Sequence, residues 1–208
     1  MSKKTDTTRR AIVGATVGVG LGLGAISMLV PIGALKPKKE VTPETEPPKK
    51  GDVFVFAEGD KKGDEISFAD LPKEGPAVLA FPKDPKTGVI KNGERNNMVL
   101  LIRLDPGELS PETAEYAADG TVAYSAICTH LGCTVSEWLP DKGDLMCPCH
   151  KGIYDPRQGA KVVGGPPPRP LPALPLQVQD DKPVCAGGFT SPVGVVAGLE
   201  PQGGSCAV

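Results

Sequence analysis

Two short boxes, Cys128-Thr129-His130-Leu131-Gly132-Cys133 and Cys147-Pro148-Cys149-His150, hold both histidines of the chain and all but two of its six cysteines. Cys-x-His and Cys-x-x-His spacings let a single loop present both ligands from its tip, so two such loops facing each other can enclose a metal centre. Gly132 and Pro148 favour the tight turns this needs. Four ligands of mixed type suit either a tetrahedral zinc or a two-iron, two-sulfur cluster with two thiolates on one iron and two imidazoles on the other, and spacing alone does not separate them. In an exported chain the same cysteines could instead form disulfides.

The rest of the chain must supply a scaffold for two loops. With 26 glycines and 23 prolines in 208 residues, a helical bundle is excluded and a loop-rich β domain is expected. A net charge of -2 and an aromatic content of 4% leave neither a basic surface nor stacking platforms, which excludes nucleic acid as a partner. Apolar runs at Val53 to Ala57, Ala77 to Phe81, Met98 to Leu104, Thr121 to Ile127, Leu174 to Gln179 and Val184 to Ala186 predict antiparallel strands. Asp180-Asp181-Lys182-Pro183 predicts a hairpin connection between the last two. Ser110 before Pro111 predicts a short helix to about Ala118. Lys83 to Asn97 reads as a polar loop without evident chemistry, and Trp138 as core packing.

The N-terminal run from Ala11 to Leu35 carries no charge and is long enough to cross a hydrocarbon core of about 30 Å as one helix. A cleaved signal peptide is the alternative, but no clear A-x-A site precedes the Pro-rich stretch that follows. Thr8-Arg9-Arg10-Ala11-Ile12-Val13 is similar to a twin-arginine export signal. The expected organisation is a signal and anchor over residues 1–35, a charged, Pro-rich and solvated tether over 36–52, and a β domain over 53–208.

Taken together, the C-T-H-L-G-C and C-P-C-H boxes, Tyr154-Asp155, and Gly164-Gly165-Pro166-Pro167-Pro168-Arg169-Pro170 resemble the Rieske proteins of cytochrome bc complexes over roughly residues 122 to 174. The resemblance implies a mainly β fold, a Rieske-like antiparallel β sandwich whose cluster-binding subdomain spans about 122–174, with one transmembrane helix before it. It implies one 2Fe-2S cluster, with Cys128 and Cys147 as ligands of the inner iron and His130 and His150 as ligands of the outer iron. It also implies a Cys133–Cys149 disulfide, Leu131 as the apolar tip, and a proline loop at Pro166 shielding the far side. His150 and His130 would be the quinol-facing residues, and Tyr154 a donor to a ligand sulfur. A disulfide needs an oxidising compartment, so the head is expected on the outer side of the cytoplasmic membrane.

Function follows from the same resemblance: a subunit of quinol:cytochrome c oxidoreductase that takes electrons from quinol and passes them to a cytochrome c-type partner, beside a cytochrome b-type subunit. Replacing two thiolates by imidazoles lifts the potential to roughly -150 to +300 mV, where quinols are oxidised. The chain departs from the family at Lys151-Gly152, where Gly-Ser is usual. Loss of the serine donor at 152 predicts a potential low in that range, suited to menaquinol. Two rivals remain: the Rieske small subunit of an exported arsenite-oxidising enzyme, and a zinc-binding or disulfide-stapled interaction module. A soluble oxygenase ferredoxin would lack the disulfide pair. Cys185 and Cys206 form a further even pair in which a second disulfide is conceivable.

Overall fold

The structure, a computed structural model, describes residues 41–196. The expected export signal and anchor, the first residues of the tether, and Cys206 lie outside the described residues. Among those described, no helix is long and apolar enough to cross a membrane.

Alternating side chains of a strand point to opposite faces, and in β3 (Val99–Arg103) and β4 (Thr121–Ser125) both faces are buried. Val99, Leu101 and Ala123 turn to one core, with Phe54, Phe68, Ala80, Leu174 and Leu176. Leu100, Ile102, Val122 and Tyr124 turn to a second core, shared with Leu145, Tyr154 and Leu171. Each fully buried Leu, Ile or Val contributes about 1.5–3 kcal/mol relative to exposure, which explains why these strands read as continuous apolar runs. With β1 (Val53–Phe56), β2 (Val78–Lys83), β9 (Leu176–Gln179) and β10 (Lys182–Cys185) they form one antiparallel sheet in the order β4-β3-β2-β1-β10-β9.

The expected antiparallel β architecture is present, and this sheet is curled. The free edge of β4 is covered by the chain leading into β9: Ser125 N–H donates to Pro172 O and Leu174 N–H to Ala123 O, both at 2.9 Å. Its concave side then closes on its own core. A second antiparallel sheet of four short strands, β5 (Glu137–Leu139), β6 (Asp144–Cys147), β7 (Gly152–Asp155) and β8 (Lys161–Gly164), packs on the other side.

Three local expectations change. The β9–β10 turn is two residues long, Asp180 (φ 49°) and Asp181 (φ 58°), because such turns match the strand twist, so Lys182 and Pro183 already belong to β10. The helix α1 is a single turn, Pro111–Ala114, capped as expected by Ser110 Oγ accepting from Thr113 N–H. It stops short of Ala118 because Ala118 bridges to Thr121 across Asp119 and Gly120, both at positive φ.

The third concerns the tether, whose later half is docked rather than solvated. Lys91, 1% exposed, extends its ammonium to Asp52 Oδ2 (2.5 Å) and Pro47 O (3.1 Å). Asn97 Nδ2 donates to Glu46 O (2.7 Å), Gly93 N–H to Glu44 O, and Gly51 N–H to Cys185 O. A buried lysine demands such partners, and the 83–97 loop supplies it.

Candidate metal centre

The second box is the turn of the β6–β7 hairpin: Cys147 ends β6 and pairs with Gly152, which opens β7. Lys151 sits at φ 54° to close that turn, a left-handed conformation uncommon outside glycine. The first box follows β4 and closes on itself, with Cys128 N–H donating to Cys133 O (2.8 Å) and Gly132 N–H to Cys128 O (3.0 Å). The Cys133–Cys149 disulfide joins the two loops, Cα to Cα 6.6 Å.

The four remaining box side chains fall into two neighbouring pairs, Cys128 with Cys147 and His130 with His150, along a gradient of burial. Cys128 and Cys147 are at most 2% exposed and His130 is 6% exposed, whereas His150 is open to solvent. The two imidazole rings lie 4.6 Å apart, nearly perpendicular. His130 Nδ1 is buried without a hydrogen-bond partner among the described residues. Buried polar atoms almost always have a partner, and a lone pair held this way suits a metal bond. Burial pushes the Cys147 thiol up to about 11, partly offset by N–H groups of Cys149 and His150 reaching its sulfur. Burial, and then the proximity of His150, lower the His130 pKa and so favour the neutral ring, the form that ligates. Two buried thiols, beside a buried imidazole with an unused lone pair, form a donor set that fits a metal cluster, whose positive charge would favour the thiolate form.

Around this set the protein builds a lining. Tyr154 Oη lies 3.2 Å from Cys128 Sγ and accepts from Thr129 N–H at 3.3 Å. The proline loop comes in from the far side, but Pro166 is exposed and Pro167 is the buried proline, seated on Gly152 so closely that any Cβ there would overlap its ring. Gly165 is obligatory for a similar reason: at φ 79°, a Cβ would overlap Lys151 O. Leu131 projects from the tip, 41% exposed. Trp138 packs into the core as expected, over Gly75. Thr129, Pro167 and Arg169 stood in the quoted motifs without roles of their own, because their contacts lie 15 to 40 residues away in the chain.

Residues 84–175 match the family described as the Rieske 2Fe-2S domain. The chain carries a Rieske domain. Such a domain binds one 2Fe-2S cluster, which removes the zinc and disulfide-module readings. The chain is 40% identical over 121 residues to a protein of Haloferax mediterranei named as the Rieske subunit of a respiratory nitrate reductase, covering 58% of this chain and 52% of that one. It is 39% identical over 98 residues to the cytochrome bc1 complex Rieske iron-sulfur subunit of Streptomyces lividans, covering 46% and 58%. The chain thus spans little more than half the length of these relatives. Among solved structures it is similar to the cyanobacterial plasma membrane Rieske protein of Synechocystis, with 25% identity, a TM-score of 0.37, and coverage of 57% of this chain and 93% of that one. The Rieske match starts in the loop after β2 and ends before β9, so β1, β2, β9 and β10 flank it.

Proposed function

We propose that this chain is the quinol-oxidising electron-transfer subunit of a bc-type complex, with Cys128 and Cys147 on the inner iron and His130 and His150 on the outer. The observation that carries this is the burial gradient: both thiols face the core and an imidazole faces solvent. The cluster supplies a one-electron acceptor whose charge state sets the basicity of its imidazole ligands. This chain's own residues do the rest. His150 presents an exposed imidazole toward a quinol hydroxyl, and exposed Leu131 gives an apolar surface for a membrane subunit. Buried Cys128, Tyr154 and Pro167 keep water from the opposite side.

Gly152 leaves no hydroxyl to donate at its position, and Pro167 fills the space where one would stand. One donor fewer disfavours the more negative reduced state, so the potential falls in the low part of the roughly -150 to +300 mV range and fits menaquinol. Cytochrome b-type and cytochrome c-type subunits would complete the path, with the head on the outer face of the cytoplasmic membrane. The chain from Glu44 to Asp52 is docked on the head and adds no slack between head and partner subunits.

A second reading has its own support in the nitrate reductase relative: the same domain could serve a different respiratory oxidoreductase. Purification of the full chain from its native membranes distinguishes the two. Co-purifying b- and c-type haem, with cluster reduction on adding menaquinol, is the expected result. A molybdenum subunit without haem b, or a potential near the top of the range, would overturn the bc-type assignment or its quinone respectively.

A further inference from the structure

The chain after β10 crosses back over the cluster end as a strap, residues 189–196. It is pinned twice. Thr190 exchanges hydrogen bonds with Ala173, its N–H donating to Ala173 O (2.9 Å) and its Oγ1 accepting from Ala173 N–H (3.1 Å). Further along, the Arg169 guanidinium donates to Pro192 O (2.7 Å) and Gly194 O (2.6 Å). Gly194, at φ 74°, lies against Ile127, the residue before Cys128. Arg169 belongs to the proline loop, and its own carbonyl accepts the Thr129 hydroxyl at 2.7 Å.

The Thr129 hydroxyl has one proton, and Arg169 O takes it. Thr129 Oγ1 therefore meets Tyr154 Oη, 3.3 Å away, as an acceptor. Tyr154 also has one proton and faces two acceptors at nearly equal distance, Cys128 Sγ and Thr129 Oγ1. Whatever holds Arg169 O in place keeps Thr129 competing for the proton that would otherwise go wholly to sulfur.

We propose that Arg169 is a positioning residue that couples the strap to the cluster sulfur: by gripping Pro192 and Gly194 it fixes its own carbonyl, orients Thr129, and weakens the Tyr154 hydrogen bond to Cys128. The proposal rests on Cys128 being a ligand, as assigned above. Releasing Arg169 frees Thr129 to donate to Tyr154 instead, so Tyr154 donates fully to Cys128 Sγ. A stronger donor to the sulfur favours the reduced cluster, and the potential rises.

The test uses the full chain with its cluster, as wild type, Arg169→Met and Arg169→Lys, read by redox titration, electron paramagnetic resonance and amide hydrogen exchange. Arg169→Met should raise the midpoint potential and speed exchange at the Thr129 amide and residues 189–196 by about tenfold, the scale of losing one or two hydrogen bonds. Arg169→Lys, which keeps one donor group, should fall between. If residues 189–196 exchange faster while the potential and Thr129 protection stay at wild-type values, Arg169 merely holds the strap and the proposal is overturned. Should Arg169→Met not accumulate as folded protein, Thr129→Val removes the competing acceptor with the strap intact. It should raise the potential, and Thr129→Ser should restore it; an unchanged potential in Thr129→Val overturns the proposal. A wild-type resonance signal without mixed His/Cys character would instead refute the ligand assignment, and is read separately from any shift among variants.

Discussion

Every residue of β4 and all but Arg103 of β3 are buried, whereas β5 and β8 contain no fully buried residue. The curled sheet is held by apolar side chains on both faces. The cluster end rests on a core through β6 and β7 alone and adds discrete links: the disulfide between its loops, Tyr124 Oη donating to Pro156 O at 2.7 Å, and Arg157 reaching Gly143 O, Glu108 and Glu74. Stability in the first region is spread over many contacts. In the second a few bonds add to it, each of which can be cut chemically. At the cluster end only the inner strands β6 and β7 reach the core, and cross-links supplement the burial that β5 and β8 forgo.

That contrast can be broken by experiment. Leu101→Ala opens a cavity in the curled sheet and should cost about 2–5 kcal/mol, seen as a lower Tm in calorimetry with the cluster spectrum retained in the folded protein. Cys149→Ser removes the link between the loops, worth about 3 kcal/mol for a loop of this length. It should release the cluster, followed by loss of visible absorption, while the far-ultraviolet circular dichroism of the sheet persists. Collapse of both signals together would show the two regions to be one cooperative unit.

Tyr124→Phe tests the joint between the regions, since Tyr124 stands in β4 and its hydroxyl meets the chain just after β7. Leaving Pro156 O unpaired should cost about 1–3 kcal/mol in urea unfolding. The smallest effect is expected at Glu65, whose carboxyl is held down from 4.5 to about 2 by hydrogen bonds from Lys182 and then Lys83. A depressed carboxyl stabilises the fold fully above its ordinary pKa and loses that contribution as pH falls toward the folded value. Glu65→Gln should therefore be less stable than wild type at neutral pH, by less than about 1 kcal/mol for so exposed a group. The gap should close between pH 4.5 and about 2. A gap independent of pH would mean that the ion pairs contribute nothing.

The two regions also differ in how far they could be read from sequence. β1, β3 and β4 were visible because a strand buried on both faces is written as an unbroken apolar run. Strands β5 to β8 were not, since three or four residues interrupted by glycine, lysine and proline carry no period to detect. The cluster boxes stood out through residue type alone. Pro166 and Pro167 are indistinguishable as letters, and only the approach of Gly152 shows which one is buried. Lys91 looked like an ordinary loop lysine because its partner, Asp52, lies 39 positions away.

That lysine has a mechanical consequence. A pull on the chain at Thr42 does not act on β1 first. It meets in turn the bonds at Glu44, Glu46, Pro47 and Gly51 and then the Lys91–Asp52 pair, so the strand edge is loaded only after this fastening gives way.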